Sequence, residues 1–151
     1  MGALISKTSG GFLIGKIKQI QGRVFEKLLA EHGIDQFNGA QGRILYVLWN
    51  HDNIPISVLS EKTGLAKTTL TSMLDRLEAS GQVLRSFNPD DRRKVNIRLT
   101  DAAKNLREHY DAVSTQMSAL FYEGFTDEDI IALESGLERI LVNLSKRESL
   151  K

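Results

Sequence analysis

The apolar residues of this chain form helical stripes near both ends and an alternating run near the middle. Over residues 10–32 they recur at steps of three and four, which predicts a helix that ends at Gly33. A second helix is predicted to begin at Asn38, because Gln41 completes the spacing of a capping box. Gly42 favours a helix poorly, so we expect another element to pack closely against it.

A helix–turn–helix is predicted next. Ser57 is expected to cap a short helix that ends at Gly64, and Leu65 is expected to fill the turn. A second helix follows over about residues 67–79, with one apolar face and one polar face. The apolar face consists of Leu70, Met73, Leu74 and Leu77.

The polar face of this second helix has the composition of a DNA-reading surface. Hydroxyl residues are frequent at its start, although they favour helices poorly. Short hydroxyl side chains let a helix lie deep in a major groove and bond to base edges or phosphates. The alternative is an ordinary amphipathic surface helix, and the charged hairpin that follows favours DNA contact. The candidate residues are Lys67, Thr68, Thr69, Thr71, Ser72 and Arg76.

Residues 83–99 are predicted to form a β-hairpin with a charged tip. Polar and apolar residues alternate on its far side, and Asn88 to Asp91 supply turn chemistry around a proline. A narrow hairpin that carries arginines fits a DNA minor groove, where the negative potential is deepest. The alternative is a solvated hairpin with ordinary surface charge. The candidate DNA-contacting residues here are Arg85, Asp91, Arg92, Arg93 and Lys94.

The last third of the chain is predicted to form two long amphipathic helices. Thr100 is expected to cap the first, which ends at Gly124, and Thr126 is expected to cap the second. The first helix carries a heptad-like apolar stripe of Leu106, Tyr110, Val113, Met117 and Leu120. Together with the N-terminal helix, these stripes exceed what one small winged domain covers, so a second copy of the chain is the simplest partner.

Composition narrows the possible functions. At 151 residues the chain is expected to be one domain with added oligomerisation helices. Net charge is only +1, but residues 66–98 hold seven basic and four acidic side chains, the local footprint of phosphate contact. The longest apolar run, Ile44 to Trp49, is far too short to span a membrane. We therefore expect a cytoplasmic protein with no membrane partner.

Catalysis and cofactors are not expected. The absence of cysteine excludes disulfides and thiolate metal sites, and the three histidines share no ligand spacing. The sequence holds neither a nucleophile motif nor a glycine-rich phosphate loop. We predict a binding protein with no cofactor and no metal, rather than an enzyme.

The order of elements resembles the MarR family of transcription regulators. Residues 91–100, Asp-Arg-Arg-Lys-Val-Asn-Ile-Arg-Leu-Thr, fit that family's D-x-R-x5-L-T wing pattern. Residues 74–78, Leu-Asp-Arg-Leu-Glu, followed by Gly81 and Arg85, fit the exit of its recognition helix. Two departures stand out. Ala66 replaces a usual capping serine, and Gln82 replaces a common leucine.

The resemblance implies a mainly α (α+β) fold and a homodimer. Residues 38–100 would form the winged helix–turn–helix lobe with a two-stranded wing, and residues 1–37 and 101–151 the dimerisation helices. The dimer would bind an inverted-repeat operator in double-stranded DNA, with Arg93 in the minor groove and Asp91 steadying it.

The resemblance further implies a repressor that is released by a small ligand of the aromatic or phenolic class. The alternative is a DNA-binding regulator without a small-molecule effector. Candidate ligand-binding residues are Arg23, Tyr46, Trp49 and Tyr110, which offer a charge, hydroxyls and aromatic faces. The alternative for each aromatic residue is core packing, and the alternative for Arg23 is a solvated surface charge.

Overall fold

The fold is mainly helical with one small antiparallel sheet, in agreement with the predicted class. A computed structural model describes residues 2–149 of the chain. The helices are α1 (Gly2–Ile5), α2 (Gly10–Glu31), α3 (Gly39–Asn50), α4 (Ile56–Thr63), α5 (Lys67–Ala79), α6 (Asp101–Lys104), α7 (Arg107–Phe121) and α8 (Asp127–Ser149). The strands are β1 (Ile54–Pro55), β2 (Val83–Asn88) and β3 (Asp91–Leu99).

Residues up to Thr115 form one compact unit, and those from Gln116 onward form a second. The first unit has a continuous apolar core that is drawn from α2 to α5, the sheet and α7. Its fully buried side chains include Leu29, Ile44, Leu45, Leu48, Leu59, Leu70, Leu74, Leu77, Val83, Ile97 and Val113. This core fixes α5 against the rest of the first unit, because the three inward leucines of α5 are fully buried, while Met73 on the same face is partly exposed.

The sheet contains one more strand than the predicted wing. β2 and β3 form the expected hairpin, and β1 pairs with the opposite edge of β3 through Ile54 and Pro55. The prediction missed β1 because two residues give no alternating pattern and one of them is proline. Pro55 is the last residue of a two-residue edge strand, a position where a proline is tolerated.

Two helix boundaries differ from the prediction. Ser57 does not cap α4; the helix begins at Ile56, and extended Pro55 occupies the N-cap position without a side-chain bond. The single helix expected after Thr100 is divided into α6 and α7 by a turn at Asn105. Thr100 does cap the first of these, since its Oγ1 accepts from the Ala103 amide at 3.2 Å.

Three other predicted helix ends are confirmed, whereas α7 ends at Phe121 and not at the expected Gly124. Asn38 and Gln41 form a reciprocal capping box at the start of α3. In the second unit, Thr126 and Asp129 exchange the equivalent bonds at the start of α8, each at 3.1 Å. Gly33, which follows α2, has a φ of 71°, a left-handed conformation that glycine adopts without strain.

Candidate nucleic-acid interface

The outer face of α5 presents polar side chains to solvent. Every α5 residue that was predicted to contact DNA is exposed to solvent. The inner leucines of the same helix are fully buried. The turn before α5 is held by Gly64, which has a φ of 76°, and by the Ser60 hydroxyl, which donates to the Leu65 carbonyl at 2.6 Å. A rigid turn and a buried inner face together fix the direction in which the hydroxyl side chains point.

The first turn of α5 has no side-chain cap. Ala66 occupies the N-cap position with extended backbone, and within residues 2–149 the helix start has no side-chain cap hydrogen bond. Ala66 therefore stands at the N-cap, the position where members of the MarR-like pattern usually have a capping serine. Free amides at a helix N-terminus suit an anion such as a phosphate.

The β2–β3 hairpin projects three cationic side chains at its tip. Its turn is closed by the Asn88 side chain, which accepts from the Asp90 amide at 2.9 Å. Arg92, Arg93 and Lys94 follow directly on β3, and all three are exposed. The strands pair regularly as far as Phe87 and Val95, and the register then shifts between Phe87 and Asn88. The three cationic residues therefore lie in a bulged segment at the tip, beyond the last regular pair.

Asp91 orients Arg93 at this tip. The Arg93 Nε lies 3.1 Å from Asp91 Oδ1, and the Arg93 amide donates to the same oxygen at 3.0 Å. The side chain of Arg93 is 91% exposed and that of Asp91 is 28% exposed. The side-chain bond to Arg93, followed by the backbone bond, lowers the pKa of Asp91 below its usual value. The carboxylate therefore stays ionised and holds an otherwise free arginine.

Arg85 lies in a different setting from the other candidates. Its two terminal nitrogens donate to Asp75 and Glu78 of α5, each at 2.8 Å. Those two acids are three residues apart and share one side of the helix. Arg85 thus ties β2 to the end of α5, so the structure favours a positioning role over a phosphate contact. Sequence reasoning missed Asp75 and Glu78 as its partners, although their spacing was visible.

An open cleft of about 680 Å³ lies beside α2, α3 and the helix–turn–helix. Three of the four predicted ligand-binding residues, Arg23, Tyr46 and Tyr110, line it. Burial, with a smaller effect of Tyr46, raises the pKa of Tyr110 above its usual range, so its hydroxyl is neutral at physiological pH. Further lining residues include Lys18, Glu26, Arg43, Leu65 and Met73.

Trp49, the fourth predicted ligand-binding residue, is not among the residues that line this cleft. Its indole Nε1 donates to the Ala103 carbonyl at 3.0 Å. In return Arg107 donates to the Trp49 carbonyl at 2.9 Å. The structure thus gives Trp49 a role in joining α3 to α6 and α7, in line with the core-packing alternative.

Within residues 2–149, no three His, Asp or Glu side chains gather closely enough to hold a metal ion. No described helix combines the length and the apolar character needed to cross a bilayer.

A profile of the MarR family matches residues 37–95, which run from the start of α3 into the wing. The HTH-type transcriptional regulator TtmR of Methylorubrum extorquens is 36% identical over 92 residues, 61% of this chain and 46% of TtmR. The organic hydroperoxide resistance transcriptional regulator of Bacillus subtilis is 32% identical over 103 residues, 68% of this chain and 69% of that protein. The match thus spans less than half of the length of TtmR.

Solved structures share the fold. A cysteine-to-serine mutant of MarR from E. coli, complexed with operator DNA, superimposes with a TM-score of 0.78 at 27% sequence identity. The match covers 87% of this chain and 92% of that protein. The similarity therefore extends well beyond the lobe that the family profile matches.

Proposed function

The chain belongs to the MarR family, and on that basis we propose that it is a homodimeric repressor that binds operator DNA and is released by a small aromatic anion. The observation that carries the proposal is that two surfaces suited to DNA lie on the same unit. The exposed hydroxyl side chains of α5 suit a major groove, and Arg93 of the wing, oriented by Asp91, suits the adjoining minor groove. The hydroxyl residues are Thr68, Thr69, Thr71 and Ser72.

Uncovered apolar surface supports the homodimer. The first half of α2 exposes large apolar side chains, among them Phe12 at 74%. None of the 23 residues of α8 is buried, and Ile131, Leu141 and Leu144 are each exposed by more than 60%. Apolar faces of this size favour association, and a second copy supplies matching helices. Two α5 helices related by a twofold axis would then lie about 34 Å apart, so the operator is an inverted repeat.

The charge of the cleft supports an anionic effector. Lys18, Arg23 and Arg43 outnumber the single carboxylate of Glu26, which already accepts from the Gly39 amide at 2.6 Å. Tyr46 and Tyr110 add aromatic faces. A ligand bound here would touch α2 on one side and Leu65 and Met73 of the helix–turn–helix on the other. Such a ligand would alter the direction of α5 relative to α2.

Selection of bound duplexes from a random DNA pool tests the proposal. We expect enrichment of an inverted repeat with half-sites about one helical turn apart, and a dimer by sedimentation at micromolar concentration. A stable monomer, or a pool with no enriched sequence, would contradict it.

The same selected duplex then tests the effector. Titration with a panel of aromatic acids should release the protein, and Arg43→Gln, which removes one cleft cation, should reduce this response without loss of DNA affinity. An operator-binding dimer that no acid releases would instead identify a regulator without a small effector.

A further inference from the structure

Phe87 is a large apolar side chain in an unexpected place. It lies on β2 near the tip of the wing and is 73% exposed. Its partner across the hairpin is Val95, which is only partly buried, so the pair forms a small apolar surface close to the cationic tip. A stable hairpin does not require this exposed ring, because the strand register is already set by the buried pair Val83 and Leu99.

Strand alternation places this surface on the same side of the hairpin as α5. Val83, Arg85 and Phe87 point to one face of β2, since side chains two residues apart share a face. Val83 is buried in the core, and Arg85 reaches Asp75 and Glu78 of α5. Phe87 therefore continues this face about 7 Å beyond Arg85, past the region that α5 covers.

We propose that Phe87 packs against the deoxyribose rings of the operator backbone beside the minor groove that Arg93 enters. The inference rests on the proposed DNA-binding function and adds an apolar contact to it. Charge identifies the partner, because the pair Phe87–Val95 lies next to Arg92, Arg93 and Lys94. The sugar–phosphate backbone offers apolar sugar faces between anionic phosphates, which fits an apolar side chain beside cations.

This contact has a distinctive energetic signature. An apolar contact releases no condensed counterions, whereas the loss of a cation at a phosphate flattens the dependence of affinity on salt. Phe87→Ala should therefore weaken DNA binding while the slope of log affinity against log salt stays the same. Partial burial of a phenyl ring in each of two wings corresponds to about tenfold in affinity.

The matched control is Leu84→Ala. Leu84 lies on the same strand but on its opposite face, opposite Arg98, and is 40% exposed. Affinity should be unchanged in this variant once both proteins are verified as folded dimers by sedimentation and thermal melting. Phe87→Leu, which keeps an apolar side chain, should lose less affinity than Phe87→Ala.

Hydroxyl-radical footprinting on the selected operator supplies a direct readout, because these radicals attack the deoxyribose. We expect Phe87→Ala to restore cleavage at sugars beside each wing while protection by α5 persists. Wild-type affinity and footprint in Phe87→Ala would overturn the inference, as would a changed oligomeric state, which would place Phe87 in a protein interface. Failure of the wild-type chain to bind any duplex would instead reject the proposed function itself.

Discussion

The ring of Tyr110 packs directly against the backbone of Gly42. A Cβ atom at position 42 would lie 2.9 Å from Cε2 of Tyr110 and 3.3 Å from Cε2 of Phe37. We predict that Gly42→Ala destabilises the protein by about 1–3 kcal/mol, since the added methyl must displace two rings that pack on α3. Urea unfolding measures this change.

Gly22→Ala is the control for this substitution. Gly22 is also inside a helix, but a Cβ there meets nothing within 4 Å. Gly22→Ala should raise the unfolding free energy by about 0.5–1 kcal/mol, because alanine favours a helix more than glycine does. Equal stability of the two variants would mean that α3 and Tyr110 are not in close contact.

The bridge from Arg85 to Asp75 and Glu78 predicts coupling between the wing and α5. If Arg85 positions the wing, Arg85→Ala should weaken DNA binding and also reduce the cost of a second substitution, Arg93→Ala. We expect a coupling free energy of about 1 kcal/mol in a double-mutant cycle of DNA affinities. A phosphate contact by Arg85 would instead give additive losses and a flatter salt dependence in Arg85→Ala.

Neutral variants of the two acids give an independent check on the bridge. Asp75→Asn and Glu78→Gln remove negative charge near the proposed DNA surface, so simple electrostatics predicts tighter binding. Loss of the Arg85 bridge predicts equal or weaker binding in both variants. Tighter binding in both would show that the bridge has no positioning role.

The sequence predicted the wing and the helices after α1 because each has a strong local signal. The bounds of α5, the capping box of α3 and the Thr126 cap of α8 follow from periodicity and from side chains within three residues. Strand β1 and the break between α6 and α7 were missed, since both depend on contacts with distant residues. The Asp52 carboxylate, for example, accepts from the Leu99 amide at 2.9 Å across 47 positions of sequence.

The candidate site was predictable in its residues and less so in their roles. Exposed hydroxyls on α5 and the Asp91–Arg93 pair follow from local spacing. The ion pairs of Arg85 and the hydrogen bond of Trp49 were missed, because the partners lie on other elements and sequence spacing alone does not pair them. Phe87 gave no signal in sequence, since its exposure depends on where α5 ends relative to the hairpin.

The uncapped start of α5 predicts a stabilising substitution. Ala66→Ser would place a hydroxyl where free amides of the first turn lack a side-chain partner. We expect a gain of about 0.5–2 kcal/mol in the free energy of unfolding. Thermal melts of the two proteins measure it, and Ala66→Val, which cannot accept a hydrogen bond, is the control. A gain with valine as large as that with serine would rule out capping as the cause.

Gln82 predicts a second stabilising substitution. Its side chain is 4% exposed, and among the described residues its Oε1 has no hydrogen-bond partner. Gln82→Leu removes this unsatisfied buried acceptor but also the bond that Nε2 donates to the Ser80 carbonyl at 3.1 Å. We therefore expect a rise of at most about 1 kcal/mol in the unfolding free energy. Gln82→Glu should destabilise, and more so as pH rises and the buried carboxyl ionises. Denaturant unfolding at two pH values tests both.

The pair Asp91–Arg93 predicts how the wing recognises DNA. Arg93→Ala should weaken operator binding by about 1–3 kcal/mol per wing, as for a specific groove contact, with little change in melting temperature. Asp91→Ala should cause a smaller loss of the same kind, because the arginine would no longer be held in one orientation. Simple electrostatics predicts the opposite sign, since removal of an acid should strengthen binding to phosphate.

The pH dependence of binding gives a further test of the same pair. Arg93 lowers the pKa of Asp91 below its usual value of 3.8, so the pair persists above that value and is lost only as pH falls below it. The contribution of Asp91 to affinity should therefore be constant between about pH 5.5 and 8. Affinities of the two single variants and the double variant decide between the models. Tighter binding by Asp91→Ala, with additive effects in the double variant, would leave the wing as an unoriented basic patch.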